Sequence, residues 1–232
     1  PYGISLAHNG NLTNADAILN VVDASGGTNA EGEPVEVGTY DPVDEVDFVE
    51  REMDQWLAGI VDRNWEGVER KSRSPEFDID GTLTELLTGF GATVADVAAS
   101  LRALDYPEDP IQWTDDHRAA LAREIRARTK PLVVVANKAD VAPSGNMRRL
   151  RETDKPVVPA TADGELALRS AAEGGVVDYD PGDEDFEILG DVTDAQREGL
   201  NRIREVMTEY GGTGVQAAID HAVYDLLDRI TV

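Results

Sequence analysis

A chain of 232 residues with 41% apolar content is long enough to bury a core in one large domain or two small ones. It has no Cys, which excludes disulfides, thiolate metal sites and a Cys nucleophile, and no apolar run of about 18 residues that would read as a membrane-spanning helix. Its 46 acidic residues against 21 basic ones, a net charge of −25, exclude the basic footprint of a free-standing DNA or RNA binder. The acids are spread along the chain rather than gathered in a tail, as on a surface adapted to high salt, where self-repulsion is screened. No basic-then-apolar leader opens the sequence, so the expected location is the cytoplasm.

In chain order, Ala17 to Asp23 is short, apolar and β-branched, and Ser25-Gly26-Gly27 stops it, so it reads as a buried strand. Residues 28–42 are rich in Gly, Pro, Glu and Thr and form a loop. From Val43 the period changes: Val46, Val49, Met53, Trp56, Leu57, Ile60, Val61, Trp65 and Val68 recur at three- and four-residue steps, predicting one long helix to about Lys71. Leu83 to Phe90 predicts a second helix closed by Gly91, and Thr93 opens a third. Thr114-Asp115-Asp116 caps a fourth that runs to about Thr129.

The pattern then alternates. Residues 132–136 form a fully apolar strand of the kind buried on both faces of a parallel sheet. A short helix at about 145–152, the strand 156–159 and a helix over 165–173 follow. Thr193 to Gln196 and Thr213 to Gln216 each read as a capping box that starts a helix. Strand–helix alternation on both sides of a helical block predicts an α/β domain with a helical insertion.

The residues that carry chemistry are Asn137-Lys138-Ala139-Asp140, directly after the most apolar strand. An N-K-x-D at the C-terminal end of a buried parallel strand stands where an open α/β sheet binds its ligand. The Asp140 carboxylate suits guanine, since it accepts from both N1–H and the exocyclic N2 amine, whereas adenine offers no donor on that edge. The Asn137 amide either reaches the O6/N7 side or ties neighbouring loops together. The Lys138 stem can lie along the base plane with its ammonium in water or on a loop carbonyl. Thr161 and Ala162, just past the next strand, would bring backbone N–H groups close to a base oxygen. The plainer reading is that Asn and Asp near a strand end are ordinary turn residues.

These stretches, with "ADAILNVVDASGGTNAEGEP", "EREMDQWL" and "GGTGVQAAIDHAVYDLLDRITV", resemble the YchF-type branch of the Obg-like GTPases over about residues 15–232. The resemblance implies part of a P-loop NTPase (Ras-like) parallel sheet, made of residues 15–42 and 131–232, with a helical hairpin insertion at 43–130. It implies GTP as ligand, with Asn137, Lys138, Asp140, Thr161 and Ala162 as nucleotide-binding residues, and a ribosome-associated role in translation. The family's G-x-x-x-x-G-K-[ST] loop and its TGS domain do not occur in these 232 residues, and its D-x-x-G switch is absent ahead of the stretch "ADAILNVVD", where the family carries it. The corresponding expectation is a truncated domain that lacks its Mg²⁺ ligands and is not hydrolytically competent alone.

Residues 1–14, "PYGISLAHNGNLTN", instead resemble the glutaminase domain of amidophosphoribosyltransferase, which implies Asn9 and Gly10 as donors of a vestigial oxyanion hole. Without a Cys nucleophile they cannot perform acyl transfer. A tight turn is the plainer reading of Asn-Gly. Two alternatives to a guanine-nucleotide domain therefore stand at this point: a non-catalytic amidotransferase fragment, and an acidic helical module that docks a ribosomal or protein partner through Trp56 and Trp65.

Overall fold

Three parallel strands carry the architecture: β1 (Ile18–Asp23), β2 (Leu132–Asn137) and β3 (Val157–Pro159), in the spatial order β1-β2-β3. The computed structural model describes residues 17–29 and 32–226. Equal offsets in the bonds Ile18 N–H to Pro131 O and Ala24 N–H to Asn137 O make β1 and β2 parallel. Val134, Val135 and Ala136 pair in parallel with Val157, Val158 and Pro159. β2 is buried along its first five residues, which is why its sequence is continuously apolar rather than alternating.

The chain divides into two compact units, one formed by Leu19–Val46 with the chain from Leu132 onward, the other by Asp47–Pro131. Helix α1 (Pro42–Ser72) begins in the first unit and is followed by α2 (Ile79–Leu87), α3 (Val94–Ala103) and α4 (Asp115–Thr129). Asp44 and Glu45 stand in the first turn of α1 and Arg70 and Lys71 in its last, each charge opposing the nearer end of the helix dipole. Gly91 ends the short 3₁₀ turn after α2 in the left-handed conformation. Thr93 and Thr114 cap α3 and α4 through reciprocal boxes.

The core of the helical unit gathers Leu57, Val61 and Trp65 with Leu83, Leu87, Val97, Trp113 and Leu121. Trp65 is buried: its indole N–H donates to Pro110 O at 3.3 Å and its ring lies 5.0 Å from Trp113. Trp65 is therefore packing within this unit. Trp56 is 39% exposed beside Phe90.

Arg126 of α4 is one of the buried charges of this unit, with Lys130. Its guanidinium donates to Asp54 at 2.6 Å and to Glu50 at 2.8 Å, two acids one turn apart on α1. Arg126→Leu is expected to destabilise the chain by about 2 kcal/mol, below the range for a fully buried pair because both carboxylates keep some water. Urea denaturation followed by tryptophan fluorescence checks this; an unchanged midpoint would contradict it.

In the sheet-bearing unit, α5 (Ser144–Arg151) follows β2, and α6 (Ala162–Glu173) follows β3. The antiparallel pair β4 (Val177–Asp178) and β5 (Glu187–Ile188) precedes α7 (Asp194–Tyr210) and α8 (Val215–Asp220), which runs into a π-helical turn at His221–Leu226. Leu168, Val177, Tyr179, Phe186, Leu200 and Met207 form a second core. β4 and β5 are too short to show any alternation, and the sequence pattern did not predict them. The box at Thr193 forms as expected. The one at Thr213 does not: the N-cap position of α8 falls on Gly214, in the left-handed conformation and with no side-chain cap, while the Thr213 hydroxyl donates to the buried Glu165 carboxylate at 2.5 Å.

Candidate functional site

The C-terminal ends of β1, β2 and β3 bring together Asp23, Asn137 to Asp140 and Ala160 to Ala162. Parallel strands point the same way, so residues that follow each strand gather on one edge of the sheet.

Asn137 ends β2. Its Oδ1 accepts the Ala162 N–H at 3.0 Å, so the side chain ties the loop after β2 to the loop after β3. That bond orients the amide with Nδ2 as the remaining donor. On either side of the tie, the Ala160 N–H donates to Ala136 O and the Ala139 N–H to Ala160 O.

Lys138 has φ +59°, the one non-glycine residue with positive φ among the described residues. That conformation costs an L-residue about 1–2 kcal/mol. Its Nζ donates to Asp23 Oδ2 at 2.7 Å and to the Thr28 hydroxyl at 3.3 Å. The ammonium is thus held by a carboxylate and a hydroxyl, partners that the sequence reading did not name. Ala139 is buried, and the turn closes with the Val141 N–H on Lys138 O. Asp140 is exposed, and its carboxylate has no partner among the described residues.

Thr161 is buried, and its hydroxyl caps α6 by accepting the Gly164 N–H at 3.3 Å. Its own N–H donates to Thr213 O. Thr161 therefore acts on the loop's shape, and Ala162 is the first residue of α6. The sequence placed that helix start three residues too late, because the cap was taken for loop. Beneath the loop, the Glu165 carboxylate accepts from the Tyr179 hydroxyl and the Thr213 hydroxyl. Burial raises the Glu165 pKa, but the hydrogen bonds from Thr213, Tyr179 and Arg169 together hold it below the ordinary value.

Asp23 is the residue that motif reading missed. Oδ1 accepts from the Ser25 N–H and hydroxyl, and Oδ2 from the Thr28 hydroxyl and Lys138. Burial pushes its pKa up, and the bonds from Lys138, Ser25 and Thr28 outweigh that and leave it lowered. Its N–H donates to Glu45 of α1, whose own pKa burial raises. The available signal was an acid at the end of an apolar strand followed by Ser and Gly. Asn9 and Gly10 lie outside the described residues. Among the described residues, no three His, Cys, Asp or Glu side chains are grouped to hold a metal ion. No helix among them is long and apolar enough to cross a membrane.

The exposed edge therefore offers an acceptor pair (Asp140), a donor (Asn137 Nδ2) and the partly exposed Lys138 side chain, a set suited to a planar base with donors on one edge. Residues 135–232 match the family of the Obg-like GTPase YGR210-like, G4 motif-containing domain. An uncharacterized GTP-binding protein of Methanocaldococcus jannaschii is 38% identical over 95% of this chain and 56% of its own length. One from Schizosaccharomyces pombe is 29% identical over the same shares. The crystal structure of a GTP-binding protein from Pyrococcus horikoshii superposes with a TM-score of 0.75 at 35% identity, over 93% of this chain and 59% of that one. The chain spans about half the length of the curated relatives it matches. The matched relatives give the glutaminase-like reading of residues 1–14 no support.

Proposed function

We propose that the chain, whose residues 135–232 match the G4 motif-containing domain of the Obg-like GTPase YGR210-like family, is a guanine-nucleotide (GTP) binding domain that recognises the base at the edge formed by Asn137, Lys138, Asp140, Thr161 and Ala162. The observation that carries this reading is the exposed, unpartnered Asp140 carboxylate beside the Asn137–Ala162 tie.

In this reading Asp140 accepts from guanine N1–H and the N2 amine. Asn137 keeps the two loops together through Oδ1 and turns Nδ2 toward O6 or N7. Thr161 does not touch the base; it shapes the start of α6, whose positive dipole end favours the electron-rich O6 side. Lys138 lies along the base plane. Adenine is rejected because its ring nitrogen would face the carboxylate with lone pairs opposed and no proton between them.

No G-x-x-x-x-G-K-[ST] stretch occurs within these 232 residues. Hydrolysis is accordingly assigned to no residue here and is proposed for the whole protein. A ribosomal partner and a cytoplasmic, high-salt setting belong to the same proposal, resting on the family resemblance and on the net charge of −25.

Calorimetric titration of the chain with GTP, ITP and ATP tests this. GTP is expected to bind saturably, and ITP, which lacks the N2 amine, about tenfold more weakly for one lost charge-assisted hydrogen bond. ATP is expected to give no saturable heat. Equal binding of GTP and ATP, or no GTP binding at millimolar concentration, overturns the reading.

A further inference from the structure

Lys138 is fixed at both of its ends. At the backbone it is held in the left-handed conformation by bonds on each side: Asn137 O accepts from the Ala24 N–H at 2.9 Å, and the Ala139 N–H donates to Ala160 O at 3.0 Å. At the tip its ammonium is 2.7 Å from Asp23 Oδ2 and 3.3 Å from the Thr28 hydroxyl. Between these anchors the side chain remains 43% exposed, whereas the Asp23 side chain is 9% exposed.

Asp23 is built to stay where it is. Ser25 occupies Oδ1 through both its N–H and its hydroxyl, and Thr28 shares Oδ2. Ser25 is itself held, its hydroxyl accepting from the Gly27 N–H and its carbonyl from the Gly38 N–H. A solvent-exposed lysine ordinarily samples many rotamers, and ordering one costs up to about 2 kcal/mol. Here that cost is met before any ligand arrives.

We propose that Asp23 is a positioning residue for base recognition, which holds the Lys138 side chain as a fixed apolar face for the purine and keeps its ammonium away from the ligand's phosphates. The inference rests on the guanine reading of this edge. It adds a residue from β1, outside the N-K-x-D stretch, and assigns the Lys138 charge to the protein itself.

Asp23→Asn, Lys138→Met and the double variant are each titrated with GTP and ITP, with thermal melting recorded alongside. Lys138→Met keeps a stem of similar length and removes the charge. Asp23→Asn is expected to weaken both nucleotides about tenfold, the scale of one charge-assisted hydrogen bond, and to leave the GTP:ITP ratio unchanged, because the platform does not touch the N2 amine. The double variant is expected to bind no more weakly than the weaker single variant, because both changes break one ion pair. Acylation of Lys138, followed by peptide mass spectrometry without nucleotide, is expected to run faster in Asp23→Asn than in the parent chain.

Wild-type affinity in Asp23→Asn, additive losses in the double variant, or an unchanged acylation rate overturns the proposal. Loss of melting temperature alone, with unchanged affinity and acylation, assigns Asp23 a structural part and also overturns it. If the parent chain itself fails to prefer GTP over ATP, the guanine reading falls first and this inference with it. Failure confined to the Asp23 variants leaves that reading standing.

Discussion

Asp140→Asn is expected to reverse the base preference of this chain from guanine to xanthine, a change of about 10³-fold in the ratio of GTP to XTP affinity. A carboxylate offers acceptors to both N1–H and the N2 amine. A carboxamide keeps one acceptor and turns a donor toward the second position. Guanine then meets its own N2 amine with another donor, whereas xanthine presents a carbonyl oxygen there. The side chain is exposed and has no partner among the described residues, so the substitution removes no internal contact, and the melting temperature should stay within a degree or so of the parent's. Parallel calorimetric titrations with GTP and XTP read the result. An unchanged ratio would show that Asp140 does not face the base.

Gly214→Ala is expected to destabilise the chain by about 4 kcal/mol and to abolish base binding where the protein still folds. Gly214 has φ +81°, and a Cβ built there falls 1.8 Å from Pro159 O and 2.8 Å from Ala160 Cα. Both obstacles are backbone, so no side chain can rotate away. Relief requires the end of β3 to move, and that segment leads directly into Thr161 and Ala162. The Thr161 N–H bond to Thr213 O and the Ala162 N–H bond to Asn137 would be stretched together. Gly67 is the control: it lies inside α1, and an added Cβ there meets nothing within 4 Å. Gly67→Ala should therefore gain about 0.5–1 kcal/mol through helix propensity. Urea midpoints of the two variants measured side by side decide this; equal midpoints would contradict the close approach at Gly214.

Much of the fold was legible because local rules and tertiary packing agree. Most of the three- and four-residue recurrence from Val46 to Val68 is buried on α1, with Trp56 left 39% exposed. Thr93, Thr114 and Thr193 cap the helices they were expected to cap. The apolar run 132–136 became the buried central strand. Thr213 shows where this reasoning stops. Its sequence has capping-box spacing, yet the N-cap position falls on Gly214, and the Thr213 hydroxyl donates to a carboxylate 48 residues away. The same limit hid β4 and β5, which are two residues each and owe their pairing to the core around Tyr179 and Phe186.

At the candidate site, the sequence by itself determined the chemical types and their placement: an acceptor, an amide and a lysine directly after a strand whose continuous apolar character made it an inner one. That information is local, because strand burial and strand-end position are both written in consecutive residues. Tertiary structure decided which groups are already engaged. It gave Asn137 Oδ1 to Ala162, the Thr161 hydroxyl to α6 and the Lys138 ammonium to Asp23, 115 positions earlier in the chain. Such pairings follow from strand order and from the desolvation of charged groups at the sheet edge. Neither leaves a trace in the spacing of nearby residues, so they became readable once β1, β2 and β3 lay side by side.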